Sequence, residues 1–103
     1  MYTYAKFKIH PGKTEEFKRL SRRCVEIVRE REPGTLFYEW FMNADETECV
    51  AIDGYVDLDA VMDHVRNIGP TMRELIASCS KISRRISESP QKYPGLGLGR
   101  KTL

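Results

Sequence analysis

The segment at residues 36–42, with the sequence LFYEWFM, constrains the fold more than any other part of the chain. It is dense in aromatic residues, which favour β-strands. Successive side chains of a strand point to opposite faces, so Tyr38 and Trp40 share one face while Phe37 and Phe41 share the other. Both faces are apolar, and both therefore need to be covered by protein. The pattern leaves open which of the two faces looks into a cleft.

Three further segments alternate between apolar and polar residues, which is typical of half-buried strands. They are residues 2–9, residues 48–55 and residues 80–87. The second of these follows residues 36–42 after a short polar turn, so the two are predicted to pair as a β-hairpin.

Two segments between these strands carry apolar residues at the spacing of an amphipathic helix. Thr14 is predicted to cap the first helix, which Pro33–Gly34 ends. Asp57 or Asp59 is predicted to cap the second helix. Gly69–Pro70 is predicted to interrupt that helix, because proline lacks the N–H that a helix interior requires.

The predicted order is strand, helix, strand, strand, helix, strand, which is the ferredoxin-like βαββαβ pattern of an α+β fold. It implies an antiparallel four-stranded sheet with both helices on one face. One domain is predicted over residues 1–88, and residues 89–103, rich in Pro and Gly, are predicted to form an irregular tail. No element remains to cover the second face of the sheet. We therefore expect a homodimer whose sheets pack face to face.

The composition excludes several classes of protein. At 103 residues, with 31% charged and 41% hydrophobic residues, the chain has the balance of a single globular domain. A net charge of +2 is too small to suggest nucleic acid, and no apolar run is long enough to span a membrane. The N-terminus lacks the apolar stretch of a signal peptide, so a cytoplasmic protein is predicted. Cys24, Cys49 and Cys79 match no zinc or redox spacing and are predicted to be reduced core thiols.

His64 is the most informative candidate for chemistry. It lies between Val61 and Val65 on the apolar stripe of the second predicted helix, so it is expected to face the sheet. Such a residue is either a core histidine bonded to a carbonyl or buried carboxylate, or a proton acceptor in a cleft. Asp53 and Tyr55 share one face of their strand, and an acidic residue inside an apolar strand needs a partner. His64 is one candidate for that partner.

The sequence contains only two histidines and no clustered ligand set, so no metal site is predicted. The glycine-rich run at residues 94–100 lacks the preceding strand and following helix of a phosphate-binding loop. No cofactor is therefore expected.

Four motifs, taken in order, resemble the antibiotic biosynthesis monooxygenase domain of the dimeric α+β barrel superfamily. They are FKIHPGK at residues 7–13 followed by EEF, EPGTLFYE at residues 32–39, DGY at residues 53–55 and DAVMDH at residues 59–64. The resemblance covers roughly residues 5–86. It implies a small oxygenase that oxidises an aromatic or quinol-type substrate without flavin or metal, because the deprotonated substrate itself donates electrons to dioxygen.

The resemblance also implies a site and excludes one activity. The expected catalytic residues are His64, Tyr55 and Asp53. The expected substrate-binding residues are Ala5, Phe7, Tyr38, Trp40 and Val61. Haem-degrading relatives carry asparagine and tryptophan where this chain has Ala5 and Tyr55, which argues against haem as the substrate. The alternative from another functional class is a non-catalytic dimeric module that binds a small ligand or regulates a partner, and a pocket filled by its own aromatic residues would favour it.

Overall fold

The structure, a computed structural model, describes residues 1–87 and 101–102, with side-chain environments described for residues 1–80. Its elements follow the predicted βαββαβ order. They are β1 (Tyr2–Ile9), α1 (Thr14–Arg31), β2 (Thr35–Met42), β3 (Glu48–Tyr55), α2 (Leu58–Leu75), a 3₁₀ turn (Ile76–Ser78), β4 (Cys79–Ser87) and β5 (Lys101–Thr102). The ferredoxin-like α+β fold is therefore confirmed.

The strands form one antiparallel sheet in the order β4-β1-β3-β2-β5. The first four strands are those predicted from the sequence. The two-residue β5 adds to them, since Lys101 pairs with Met42 and Thr102 with Phe41. The rest of the predicted irregular tail lies outside the described residues.

The helix boundaries correct two of the expectations. Thr14 is the first residue of α1 and not its cap, because Lys13 occupies the capping position and offers no side-chain acceptor. Asp57 caps α2 as one of the two predicted candidates, with its Oδ1 accepting from the Ala60 N–H at 2.9 Å. Gly69–Pro70 does not interrupt α2, which continues to Leu75. The lost hydrogen bond at Pro70 is tolerated because the helix is held by its buried face.

The core lies between the inner face of the sheet and the two helices. Phe7 of β1 stacks on Trp40 of β2 with ring centroids 5.5 Å apart, and Phe17 of α1 meets the indole edge-on at 5.9 Å. All three side chains are almost fully buried. The three cysteines are buried and none of them forms a disulfide, as predicted. No helix in the described part of the chain is long and apolar enough to cross a membrane.

The outer face of the sheet carries two stacked rings near the C-terminal end of β3. Phe37 of β2 lies over Gly54 of β3 and stacks on Tyr2 of β1 at 5.8 Å. A Cβ atom at Gly54 would stand 2.5 Å from the Phe37 ring. The absence of a side chain at position 54 therefore allows the two rings to meet across the middle strand.

We expect Gly54→Ala to destabilise the fold by about 1–3 kcal/mol, because the added methyl group displaces the Phe37 ring. Gly69→Ala is the matched control: its Cβ would meet nothing within 4 Å, and alanine gains up to about 1 kcal/mol over glycine inside a helix. Urea unfolding of both variants tests this. A Gly54→Ala protein as stable as the wild type would contradict the described packing.

Candidate active site

A cavity of about 210 Å³ lies between the inner face of the sheet and α2. The structure brings all eight predicted site residues into its wall: Ala5, Phe7, Tyr38, Trp40, Asp53, Tyr55, Val61 and His64. The question left open by the sequence is thereby answered, because Tyr38 and Trp40 face this cavity. Their roles in binding or catalysis stay predictions.

Most of the wall is apolar, and its polar groups are concentrated in one corner. Asp53 is buried there and accepts hydrogen bonds from the hydroxyl groups of Thr3 and Tyr55. Thr3 stands directly across from Asp53 in the pairing of β1 with β3, so its contact with the carboxylate follows from the strand register. Tyr55 is 2% exposed, and its hydroxyl is therefore part of the buried corner.

His64 lies between two carboxylates. Its Nδ1 is 2.8 Å from Glu32 Oε1, and its Nε2 is 3.7 Å from Asp53 Oδ2. The ring is also edge-on to Tyr38, with centroids 4.8 Å apart, and to Tyr55 at 5.3 Å. His64 is in hydrogen-bond contact with a buried carboxylate, as the interpretation as a core histidine requires, and it also lines a cavity. Its role as a proton acceptor stays a prediction.

Glu32 contacts His64 but is not among the site residues predicted from the sequence. It follows the last residue of α1, and its side chain is only 2% exposed. Its Oε1 lies 2.8 Å from His64 Nδ1, and the carboxylate accepts from the Thr35 hydroxyl at 2.8 Å and from the Asn67 amide at 3.3 Å. One signal was available: an acidic residue at the C-terminal end of a helix is unfavourable towards the helix dipole and therefore calls for another partner.

The turn after Glu32 explains how this contact is made. A Cβ atom at Gly34 would lie 2.8 Å from the Ala60 Cβ of α2, so only glycine permits so close an approach. The Gly34 carbonyl also accepts from the Val56 N–H at 3.0 Å. The turn is therefore held against α2, within reach of His64.

The electrostatic environment keeps the neighbouring hydroxyl and thiol groups protonated. Burial raises the pKa of Tyr38 well above its ordinary value, and the nearby Cys24 and Asp53 add to the effect. Burial likewise raises the pKa of the Cys24 thiol to about 11. Tyr38 is consequently a neutral phenol at physiological pH and can donate a hydrogen bond, but it is not a base.

Trp40 presents a second donor near the cavity. Its indole Nε1 is buried and has no hydrogen-bond partner of ordinary length within residues 1–80, although the Tyr38 hydroxyl is its neighbour. A buried donor without an acceptor is costly, so a bound ligand with an oxygen atom there would remove a penalty. Within the described ranges, no three His, Cys, Asp or Glu side chains are placed to hold a metal ion.

The fold is shared with several solved structures. MupZ from Pseudomonas fluorescens superposes with a TM-score of 0.73 at 24% identity, over 81% of this chain and 66% of MupZ. SnoaB from Streptomyces nogalater, a cofactor-independent oxygenase solved as a mutant, gives 0.71 at 20% identity over 89% of this chain and 96% of SnoaB. A conserved protein from Methanosarcina mazei gives 0.74 at 19% identity over 84% and 88% of the two chains.

At these identities the superpositions establish the fold alone. No curated protein matches the sequence. The family model for antibiotic biosynthesis monooxygenases matches residues 1–77, which is most of the chain and includes every residue of the site. The chain belongs to this family.

We expect Tyr55→Phe to lower the free energy of unfolding by about 1–3 kcal/mol, because the buried Asp53 carboxylate loses one of its donors. Tyr2→Phe removes the same hydroxyl from the outer face of the sheet and serves as the control, with an expected change within about 0.5 kcal/mol. Thermal denaturation at neutral pH measures both. Equal stability of the two variants would contradict the role given to the Tyr55 hydroxyl.

Proposed function

We propose that this protein is a cofactor-independent monooxygenase that oxidises a small aromatic, quinol-type substrate with dioxygen. The observation that carries the proposal is a buried imidazole, His64, set in the polar corner of a mostly apolar cavity. Membership of the antibiotic biosynthesis monooxygenase family supports it. The shared fold with SnoaB, a cofactor-independent oxygenase, supports it further.

The proposed reaction balances without any added reductant. A phenol with a free ring carbon opposite its hydroxyl reacts with one dioxygen to give a quinone and one water. One oxygen atom enters the ring, and the other leaves as water with the phenolic and ring hydrogens. The substrate supplies all the electrons, so the protein has only to favour the phenolate, orient it and exclude bulk solvent.

The site residues have separate roles in this proposal. His64 accepts the phenolic proton, and Asp53 with its donor Tyr55 stabilises the positive charge that results on the ring. Tyr38 and the Trp40 N–H donate to substrate oxygen, where charge develops. The Phe7 ring forms part of the apolar wall against which a planar substrate stacks.

The cavity volume limits the size of the substrate. An apolar cavity of roughly 150 Å³ accommodates benzene. The cavity here measures about 210 Å³, which suits one ring with substituents or two fused rings. Ala5 and Val61 are among the smaller residues of its wall and leave this space open.

A non-catalytic ligand-binding module remains the alternative from a different class. The filling of the pocket by the chain's own aromatic residues would have favoured it, and the cavity is instead open. The paired carboxylates around His64 also favour proton transfer over simple binding. The proposal for an enzyme is therefore preferred.

We also propose that two copies of the chain associate through the outer face of the sheet. This face carries half-buried apolar side chains that neither α1 nor α2 covers, among them Tyr2, Phe37, Val50 and Ile52. An apolar patch of this kind on a small domain is typical of an interface. A second copy presents the same patch and so completes the cover by twofold symmetry.

His64→Gln should lower the rate of oxygen uptake about 10²–10⁴-fold on any substrate found, because glutamine hydrogen bonds but cannot serve as the base. Purified protein is screened aerobically against naphthols and other phenols whose ring carbon opposite the hydroxyl is free, while oxygen consumption is recorded. His10→Gln is the control, since His10 is exposed and its Nε2 contacts Ser80 far from the cavity. Unchanged turnover in His64→Gln, together with a much lower melting temperature, would make the histidine a structural residue only.

Light scattering should give a mass twice that of one chain at micromolar concentration. Ile52→Lys places a charge at the centre of the outer face and is expected to produce monomers, because the charge loses its hydration in the interface. Met62→Lys, on the exposed side of α2, makes a comparable change elsewhere and should leave the mass unchanged. A wild-type protein with the mass of one chain would refute the dimer.

A further inference from the structure

We infer that Glu32 is a positioning residue for His64: it fixes the imidazole in the tautomer that carries hydrogen on Nδ1 and leaves Nε2 free to accept a proton from the cavity. The inference deepens the proposed function and rests on it for its catalytic consequence. The part of the inference that concerns the tautomer of His64 does not depend on any substrate.

The chemistry of the donors and acceptors sets the tautomer. An ionised carboxylate is an acceptor only, so the group that meets Glu32 Oε1 at 2.8 Å must supply the hydrogen. The same oxygen accepts from Thr35, and Oε2 accepts from Asn67. The Glu32 carboxylate is thus surrounded by donors although it is only 2% exposed, as a buried charge requires.

The position of the two carboxylates orients the ring. Glu32 is not part of the cavity wall, whereas Asp53 and His64 are. The Nδ1 edge of the imidazole therefore points away from the cavity, and the Nε2 edge points towards the side where Asp53 lies. At 3.7 Å, Nε2 is too far from Asp53 Oδ2 for a good hydrogen bond. Asp53 takes its hydrogen bonds from Thr3 and Tyr55 instead.

Glu32 is itself held in place by the backbone on both sides. Its N–H donates to the Val28 carbonyl at 3.0 Å, and its carbonyl accepts from the Thr35 N–H at 3.2 Å. The close approach of Gly34 to Ala60 fixes the turn against α2. A carboxylate anchored in this way determines the orientation of the ring, and not the reverse. When Nε2 accepts a proton, the resulting imidazolium lies between two carboxylates that stabilise its charge.

The test is the tautomer of His64, measured by long-range proton–nitrogen NMR on protein with ¹⁵N-labelled histidine. The two histidines are told apart by the loss of one signal in His64→Gln. At a pH where the ring is neutral, the wild type should show hydrogen on Nδ1. A wild-type ring with hydrogen on Nε2, or one that stays doubly protonated throughout the folded range, overturns the inference.

Glu32→Gln should shift the neutral ring towards the tautomer with hydrogen on Nε2, because the glutamine amide can donate to Nδ1, which then carries no hydrogen of its own. Glu30→Gln removes the same charge from an exposed position two residues earlier and should leave the spectrum unchanged. A Glu32→Gln spectrum identical to that of the wild type overturns the inference. The wild-type measurement does not involve Glu32→Gln, so it decides the matter if that variant does not fold.

Once a substrate is identified, Glu32→Gln should lower kcat about 10²–10⁴-fold with KM nearly unchanged, because the His64 imidazole is present but in the wrong tautomer. A residue that only supports the fold would lower stability without moving the tautomer. Failure of the proposed function is distinguishable from failure of this inference. If no aromatic substrate is oxidised but the wild type shows hydrogen on Nδ1, only the oxygenase proposal is lost.

Discussion

The burial of two carboxylates beside one imidazole is the constraint on which the rest of this small structure depends. Charged groups removed from water are tolerated only when each is hydrogen-bonded. Glu32 and Asp53 meet that requirement with donors from β1, β2, β3 and α2, so the polar corner joins most of the fold at one point. Because the corner also borders the cavity, the requirements of stability and of chemistry fall on the same few side chains.

Local patterns in the sequence predicted much of this arrangement, and tertiary contacts account for the rest. Alternation places Tyr38 and Trp40 on one face of β2, but only the packing of α2 shows that this face encloses the cavity. Periodicity alone suggested a break at Gly69–Pro70, yet the buried face of α2 outweighs the hydrogen bond lost there. A strand as short as β5 has no readable period at all.

The contact between Glu32 and His64 could not be predicted, because the two residues are 32 positions apart and meet through a turn whose close approach depends on Gly34. In the sequence, the turn is the EPG motif at residues 32–34, which indicates only where the chain changes direction. The contact of its glutamate with His64 is evident only from the structure. The placement of His64 and Asp53 at the cavity, by contrast, could be predicted from the sequence, because each is a polar residue on an apolar face and requires a polar partner there.

Gly69 is a position of α2 at which the volume of the cavity can change during evolution. Gly69 lines the cavity, and the space beside its Cα is open, with nothing within 4 Å of an added Cβ. Larger side chains at this single position would take up part of the cavity volume at no cost in backbone geometry, while Glu32, His64 and Asp53 stay as they are. The range of ligand sizes can therefore diverge between relatives by substitution at position 69, separately from the chemistry performed on them.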